Sequence, residues 1–130
     1  MKSKIAITAS VTMLTLGFAS IAPTAFAAQG DCAAGYTCLW EDRGYQGGSV
    51  SFARYIPDLA LWKLSNGNKA NDTLSSAKQR GKYEATCLFV DKNGGGESRR
   101  MGRGTQWYDL TDHSFNDTIS SAYFTGYKSC

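Results

Sequence analysis

The chain has 130 residues, 42% of them apolar and 19% charged, with 14 glycines, 2 prolines, 4 cysteines and a formal net charge of +3. A single domain of this length buries a modest core. So slight a positive balance argues against a nucleic-acid partner, which needs a dense array of Lys and Arg.

Lys2 and Lys4 precede an uncharged apolar run from Ile5 to Phe26, and Ala25-Phe26-Ala27 has the small-x-small form of a signal-peptidase site. Residues 1–27 therefore read as a bacterial-type export signal, cut after Ala27. No second long apolar stretch follows, so no membrane anchor is expected. The exported domain, 28–130, keeps 103 residues with 12 basic and 11 acidic side chains. It is expected to be secreted, extracellular and monomeric.

All four cysteines, Cys32, Cys38, Cys87 and Cys130, lie in the exported part. An even count outside the cytosol implies two disulfides, with three possible pairings. Cys32–Cys38 encloses a short Ala-Ala-Gly-Tyr-Thr loop and is the natural local bridge, which leaves Cys87 with Cys130. A zinc site is the poorer reading, because the spacings contain no CxxC and there is one histidine.

The rest of the chain is written twice. Cys38-Leu39-Trp40 returns as Cys87-Leu88-Phe89, and Ser49-Val50-Ser51-Phe52 returns at the same offset as Ser98-Arg99-Arg100-Met101. Leu61-Trp62-Lys63-Leu64 is matched to Trp107-Tyr108-Asp109-Leu110. Asn71-Asp72-Thr73-Leu74-Ser75-Ser76-Ala77 returns as Asn116-Asp117-Thr118-Ile119-Ser120-Ser121-Ala122, with one conservative change. Thr37–Glu41, Gly48–Ala53, Leu74–Gln79 and their counterparts are short, aromatic or β-branched and bounded by Gly and Asn/Asp, which predicts strands. Arg43–Gly48 and Lys92–Gly96 predict hairpin turns whose glycines supply positive φ. Ile56–Leu64 predicts at most a helical turn. The expected fold is all-β: two four-stranded Greek keys, about 36–80 and 83–127, packed as a sandwich.

Trp40 with Gly47, and Phe89 with Gly96, share one spacing, and Tyr45 stands between the first pair. This suits a hairpin folded back over its own sheet, with the aromatic packed beneath and Ser76 or Ser121 bonding the fold. The aromatic-glycine hairpin followed by Asn-Asp-x-x-Ser-Ser, present twice, resembles the βγ-crystallin superfamily in its calcium-binding microbial form. Gly94 stands where the second hairpin of that pattern has its second aromatic. The resemblance implies up to two calcium ions, bound by paired motifs that exchange ligands. One site is expected near Asn71, Asp72 and Ser75, with carbonyls of Thr73 and Glu41. The other is expected near Asn116, Asp117 and Ser120, with carbonyls of Thr118 and Val90. Calcium chemistry agrees, since the ion takes six to eight oxygens from carboxylates, carbonyls, hydroxyls and water. The structural alternative is a pair of Asx turns whose serines steady the strands. Asn71-Asp72-Thr73 and Asn116-Asp117-Thr118 are also formal glycosylation sequons, discounted in a chain with a bacterial-type signal.

Cys32-Ala33-Ala34-Gly35-Tyr36-Thr37-Cys38-Leu39-Trp40, with Tyr45 and Gly47 after it, resembles the secreted peptidase inhibitor family 36. The resemblance implies a secreted peptidase as partner, of the metalloproteinase type, and a rigid substrate-like loop that occludes its cleft. Rigidity raises affinity by lowering the ordering cost of binding. The inhibitor type carries a second short disulfide loop, which is missing here after Cys87. Thr86-Cys87-Leu88 is one candidate contact, with Leu88 as its anchor, although Leu88 is also the repeat equivalent of Leu39 in a core strand. Catalysis is not expected: His113 is alone in Asp112-His113-Ser114, Asp109 and Asp112 read as loop carboxylates, and the thiols are paired. The alternatives are an envelope-directed antimicrobial or killer-toxin-like protein and a purely structural calcium-binding domain. The first would use Lys92, Arg99, Arg100 and Arg103 as a basic patch and Trp62, Trp107 and Tyr108 as sugar platforms.

Overall fold

The structure, a computed structural model, describes residues 30–130. The expected signal, 1–27, lies outside the described residues. No helix among the described residues is long and apolar enough to cross a membrane.

Among the described residues eight strands form, in chain order: β1 Thr37–Asp42, β2 Gln46–Phe52, β3 Tyr55–Ile56, β4 Ser76–Gln79, β5 Thr86–Asp91, β6 Gly95–Met101, β7 Gln106–Trp107 and β8 Ser121–Phe124. They build two antiparallel four-stranded sheets, ordered β2-β1-β4-β7 and β3-β8-β5-β6. The expected all-β architecture is present, with one difference in how the copies divide it. The third strand of each copy crosses over: β3 pairs with β8 through Ile56 and Ala122, and β7 pairs with β4 through Trp107 and Ala77. Each sheet thus carries three strands of one copy and one of the other, so neither copy closes its sheet alone.

The sheets face each other across a core that includes Leu39, Ile56, Leu59, Leu74, Leu88, Met101, Leu110, Phe115 and Ile119. Period-2 alternation puts Leu39 and Leu88 inward while their neighbours Cys38, Trp40, Cys87 and Phe89 face outward. Those outward residues are nevertheless buried: Cys32 and Tyr45 pack with Cys38 and Trp40, Cys130 is bridged to Cys87, and the Tyr123 ring meets Phe89 edge-on. Cys38 and Cys87 hold equivalent places in β1 and β5. Cys38 is bridged to Cys32 in the N-terminal segment and Cys87 to Cys130 at the C-terminus, so both expected disulfides form. Thr37 and Thr86, also equivalent, are fully buried and share a hydrogen bond between their hydroxyls at 2.6 Å, at the seam where the copies meet.

The structure also corrects the repeat alignment. Asp58 and Asp109 each cap a 3-10 turn, Leu59–Leu61 and Leu110–His113, and Leu59 and Leu110 are both fully buried. The counterpart of Trp107-Tyr108-Asp109-Leu110 is therefore Ile56-Pro57-Asp58-Leu59, not Leu61–Leu64. Leu59 stands twelve residues before Asn71, whereas Leu110 stands six before Asn116, so the first copy carries a six-residue insertion here.

Candidate metal centre

The two hairpins set the stage. In each, the strand register slips after the aromatic, between Trp40 and Asp42 and between Phe89 and Asp91. Gly47 and Gly96 sit at φ +76° and +70°, where a Cβ would come within 2.6 Å of an Asp42 or Asp91 carboxylate oxygen. Ser76 Oγ donates to Asp42 O at 2.6 Å and accepts from the Tyr45 N–H at 3.0 Å. Ser121 Oγ repeats this with Asp91 O at 2.6 Å and the Gly94 N–H at 2.9 Å. The second hairpin therefore folds like the first despite lacking its aromatic. Where a side chain on Gly94 would go lies the aliphatic stem of Lys128, whereas the Tyr45 ring packs edge-on against Trp40 at 5.3 Å.

The Asn-Asp loops cross between these hairpins. Asp72 and Asp117 are both left-handed, at φ 54° and 53°, a conformation in which Asp and Asn are enriched. The Asp72 N–H donates to Ile119 O at 3.1 Å and the Asp117 N–H to Leu74 O at 3.0 Å. Each aspartate is thereby carried over to the other copy's serine. Ser75 Oγ lies 3.3 Å from Asp117 Oδ1, and Ser120 Oγ lies 3.2 Å from Asp72 Oδ1. The Ser75 and Ser120 N–H groups donate to Trp40 O at 2.8 Å and Phe89 O at 2.9 Å, which brings Glu41 and Val90 beside them.

Two oxygen-rich clefts result. Glu41, Asp42, Thr73, Ser75 and Asp117 line the first, which Asp72 also borders. Asp58, Ala60, Asn71, Asp91, Lys92 and Ser120 line the second. The expected residues are thus brought together in a different grouping: Ser75 belongs with Asp117, and Ser120 with Asp72. Asn71 donates to the Asp72 carboxylate at 3.0 Å and steadies it. The Thr73 and Thr118 hydroxyls turn back to carbonyls of Ala70 and Phe115, at 3.2 and 3.1 Å, and so close their own loops. Sequence reading missed Asp42, Asp58 and Asp91 as cleft-lining groups. Asp42 and Asp91 stand at one offset after Trp40 and Phe89, and that repetition was the available signal.

Glu41 has a role beyond its backbone. Its carboxylate accepts from Asn66 and Asn68 at 2.7 Å each, clamping the six-residue insertion onto β1. Those two amides, with the Gly48 N–H, hold its pKa below the ordinary value of 4.5. No cluster of three or more His, Cys, Asp or Glu converges among the described residues. Apart from the Lys92 ammonium beside the second cleft, each offers a set of oxygen donors from carboxylate, hydroxyl and peptide groups. That set fits a hard cation such as calcium and does not fit zinc, which takes nitrogen and sulfur.

The other sequence candidates are placed differently. Cys87 and Leu88 are fully buried in the middle of their sheet, so neither can reach a peptidase cleft. Trp107 is half-buried and stacks on His113 at 4.0 Å, which removes it as a free sugar platform. Arg99 pairs with Glu97 at 2.6 Å, donates to His113 O and lies over the Phe115 ring, so it belongs to its hairpin.

Comparison with known proteins agrees with the fold. A βγ-crystallin domain from work on the evolution of the eye-lens fold is 28% identical, with a TM-score of 0.63, covering 75% of this chain and 92% of that one. Spherulin 3a from Physarum polycephalum is also 28% identical, at a TM-score of 0.56, covering 75% and 89%. A βγ-crystallin from Ciona intestinalis, 21% identical with a TM-score of 0.56, covers 69% and 99% and speaks for the fold alone. No curated protein matches the chain. Residues 25–101 match the family model described as peptidase inhibitor family I36, a stretch that runs from before the first disulfide to the end of β6. With two crystallin-type hairpins beneath crossed Asn-Asp loops and that match over more than half its length, the chain belongs to the βγ-crystallin-like peptidase inhibitor family I36, a family of inhibitors and not of enzymes.

Proposed function

We propose that this protein is an exported, calcium-binding inhibitor of peptidases, directed at a metalloproteinase, which blocks the cleft with a rigid loop in the manner of a substrate. Family membership supports the inhibitory part. Two disulfides, which persist outside the cytosol, support export.

One observation carries the metal part: the crossed contacts Ser75–Asp117 and Ser120–Asp72, at 3.3 and 3.2 Å. A hydroxyl donating to a carboxylate settles near 2.6 Å. Two oxygens about 2.4 Å from one calcium and at right angles to each other stand about 3.4 Å apart. The observed spacing sits closer to the second arrangement. Asp117 and Ser75, with backbone oxygens of Glu41 and Thr73, would hold one ion. Asp72 and Ser120, with those of Val90 and Thr118, would hold the other. A bound ion supplies positive charge and a cross-link between the copies. The chain's own residues position the donors: left-handed backbone at Asp72 and Asp117 aims each carboxylate, and the Ser76 and Ser121 hydroxyls fix the hairpins beside them.

Calorimetry of the mature protein with calcium tests the metal part, and binding stabilises the fold by mass action, about 2.7 kcal/mol at a hundredfold excess over Kd, so the melting temperature rises. No heat together with an unchanged melting temperature sinks it. Titrating the protein into a thermolysin-type peptidase tests inhibition, for which residual activity must fall with concentration. A flat curve removes the metalloproteinase target.

A further inference from the structure

The duplicated turns before the Asn-Asp loops provide an internal control. Asp58 caps the first through the Ala60 N–H at 3.0 Å, and Asp109 caps the second through the Thr111 N–H at 2.9 Å. Leu59 and Leu110 then plug the core identically, both fully buried. Three residues past each aspartate, the copies part company. The second copy places Asp112 on its exposed position, as a solvated turn would. The first copy places Leu61 there, 82% exposed, followed by Trp62 at 41%. Asp112 demonstrates that this turn forms without an apolar side chain, so folding does not account for Leu61.

The protrusion is also held rigid from both sides. The Leu61 N–H donates to Asp58 O at 3.2 Å and the Trp62 N–H to Leu59 O at 3.0 Å, while Trp62 O accepts from Ala70 at 3.3 Å. Upstream, the Leu59 N–H is tied to Ser120 O at 2.9 Å. Downstream, Leu64 is buried, the Ser65 N–H donates to Ser49 O at 2.9 Å, and Asn66 and Asn68 are clamped by Glu41. At Trp62 the backbone is extended, at φ −112° and ψ 149°. Among the described residues Leu61 is the one exposed large aliphatic side chain; the other exposed large apolar residues are tyrosines and Trp62.

We infer that Ala60-Leu61-Trp62 is the surface this inhibitor presents to its peptidase, with Leu61 entering an apolar specificity pocket and Trp62 covering the rim. The inference rests on the inhibitor reading above and locates it. A preorganised aliphatic anchor on a backbone fixed at both ends loses little entropy on docking, and such a central anchor dominates binding energy. Leu61 closes the 3-10 turn and the Trp62 N–H and carbonyl are already paired within the chain, so both residues present side chains rather than an added strand.

The test compares the intact mature protein with Leu61→Asp, which installs the side chain the second copy already carries at that turn, and with Tyr83→Ser, which removes an equally exposed ring in the linker between the copies. The probes are a thermolysin-type zinc peptidase and a subtilisin-type serine peptidase, and thermal melts monitor folding. Leu61→Asp should raise the inhibition constant about 100-fold with an unchanged melt, and Tyr83→Ser should leave it unchanged. A Leu61→Asp protein that inhibits as tightly as the parent overturns this inference and leaves the inhibitor reading standing. A parent protein that inhibits neither probe overturns both.

Discussion

Ser75 and Asp117 are forty-two residues apart in sequence, yet the serine hydroxyl lies 3.3 Å from the aspartate carboxylate. The contact is mirrored by Ser120 and Asp72 at 3.2 Å. Each candidate cation cleft is therefore shared between the two halves of the chain.

That sharing makes the effect of single substitutions specific. Asp117→Asn should weaken the cleft that contains Ser75 and Glu41, and Asp72→Asn the cleft that contains Ser120 and Asp91. Each change removes the carboxylate that reaches the other copy's serine, so calcium affinity at one site should fall about tenfold or more. Calorimetry should resolve one intact and one weakened site in either variant and two weakened sites in the double variant. Identical isotherms for parent and double variant would dismiss both aspartates as ligands.

Glu41 gives a pH signature. Hydrogen bonds from Asn66 and Asn68, with the Gly48 N–H, lower its pKa in the folded protein. Its stabilising contribution is complete above the ordinary value of 4.5 and is lost as pH falls through the lower folded value. Asp109, lowered by the Thr111 N–H, acts in the same sense. Melting temperature should therefore drop between pH 5 and 3, and Glu41→Gln should make that slope shallower. A parallel pH profile for the variant would show that the clamp carries no linkage.

Gly47 and Gly96 are the positions at which the hairpins depend on glycine. Both have positive φ, and both press against the aspartate carboxylates of their own hairpins. Alanine at either place combines left-handed strain of about 1–2 kcal/mol with a steric clash. Urea unfolding should place Gly47→Ala and Gly96→Ala at least that far below the parent. Equal midpoints would mean that the bulged turn relaxes freely.

The two disulfides should differ in weight. They close loops with sequence separations of 6 and 43. On the chain-entropy account, the short bridge contributes about 2 kcal/mol and the long one about 4 kcal/mol. Cys130→Ser should accordingly destabilise more than Cys32→Ser in chemical denaturation. The reverse order would show that the N-terminal cover over Trp40 matters more than loop closure.

Much of this protein is visible in local pattern. The duplicated Asn-Asp-x-x-Ser-Ser run marks both candidate cation loops. Glycine after an aromatic marks both hairpins, and the even cysteine count yields the disulfides, because a short local pair leaves one partner for Cys87. These features rest on residue-level preferences for turns, alternation and compartment, which the chain expresses wherever it lies. The misaligned third strand shows where such reasoning stops. Leu61–Leu64 looks like Trp107–Leu110 as text, but Leu59 is the residue that fills Leu110's place in the core.

Amino-acid order alone determined that the fold is all-β, that it is built twice, and that each copy carries one oxygen-donor loop. Tertiary packing alone decided that β3 and β7 trade sheets, that Asp72 and Asp117 serve each other's serines, that Leu88 is sealed inside, and that Leu61 is left outside. The physical reason is range. Strand and turn preferences act over a few neighbouring residues, whereas a two-residue strand such as Tyr55–Ile56 has no sheet of its own. Its place is set by which partner, here Ala122 on the neighbouring strand β8, offers both hydrogen bonds and an apolar face.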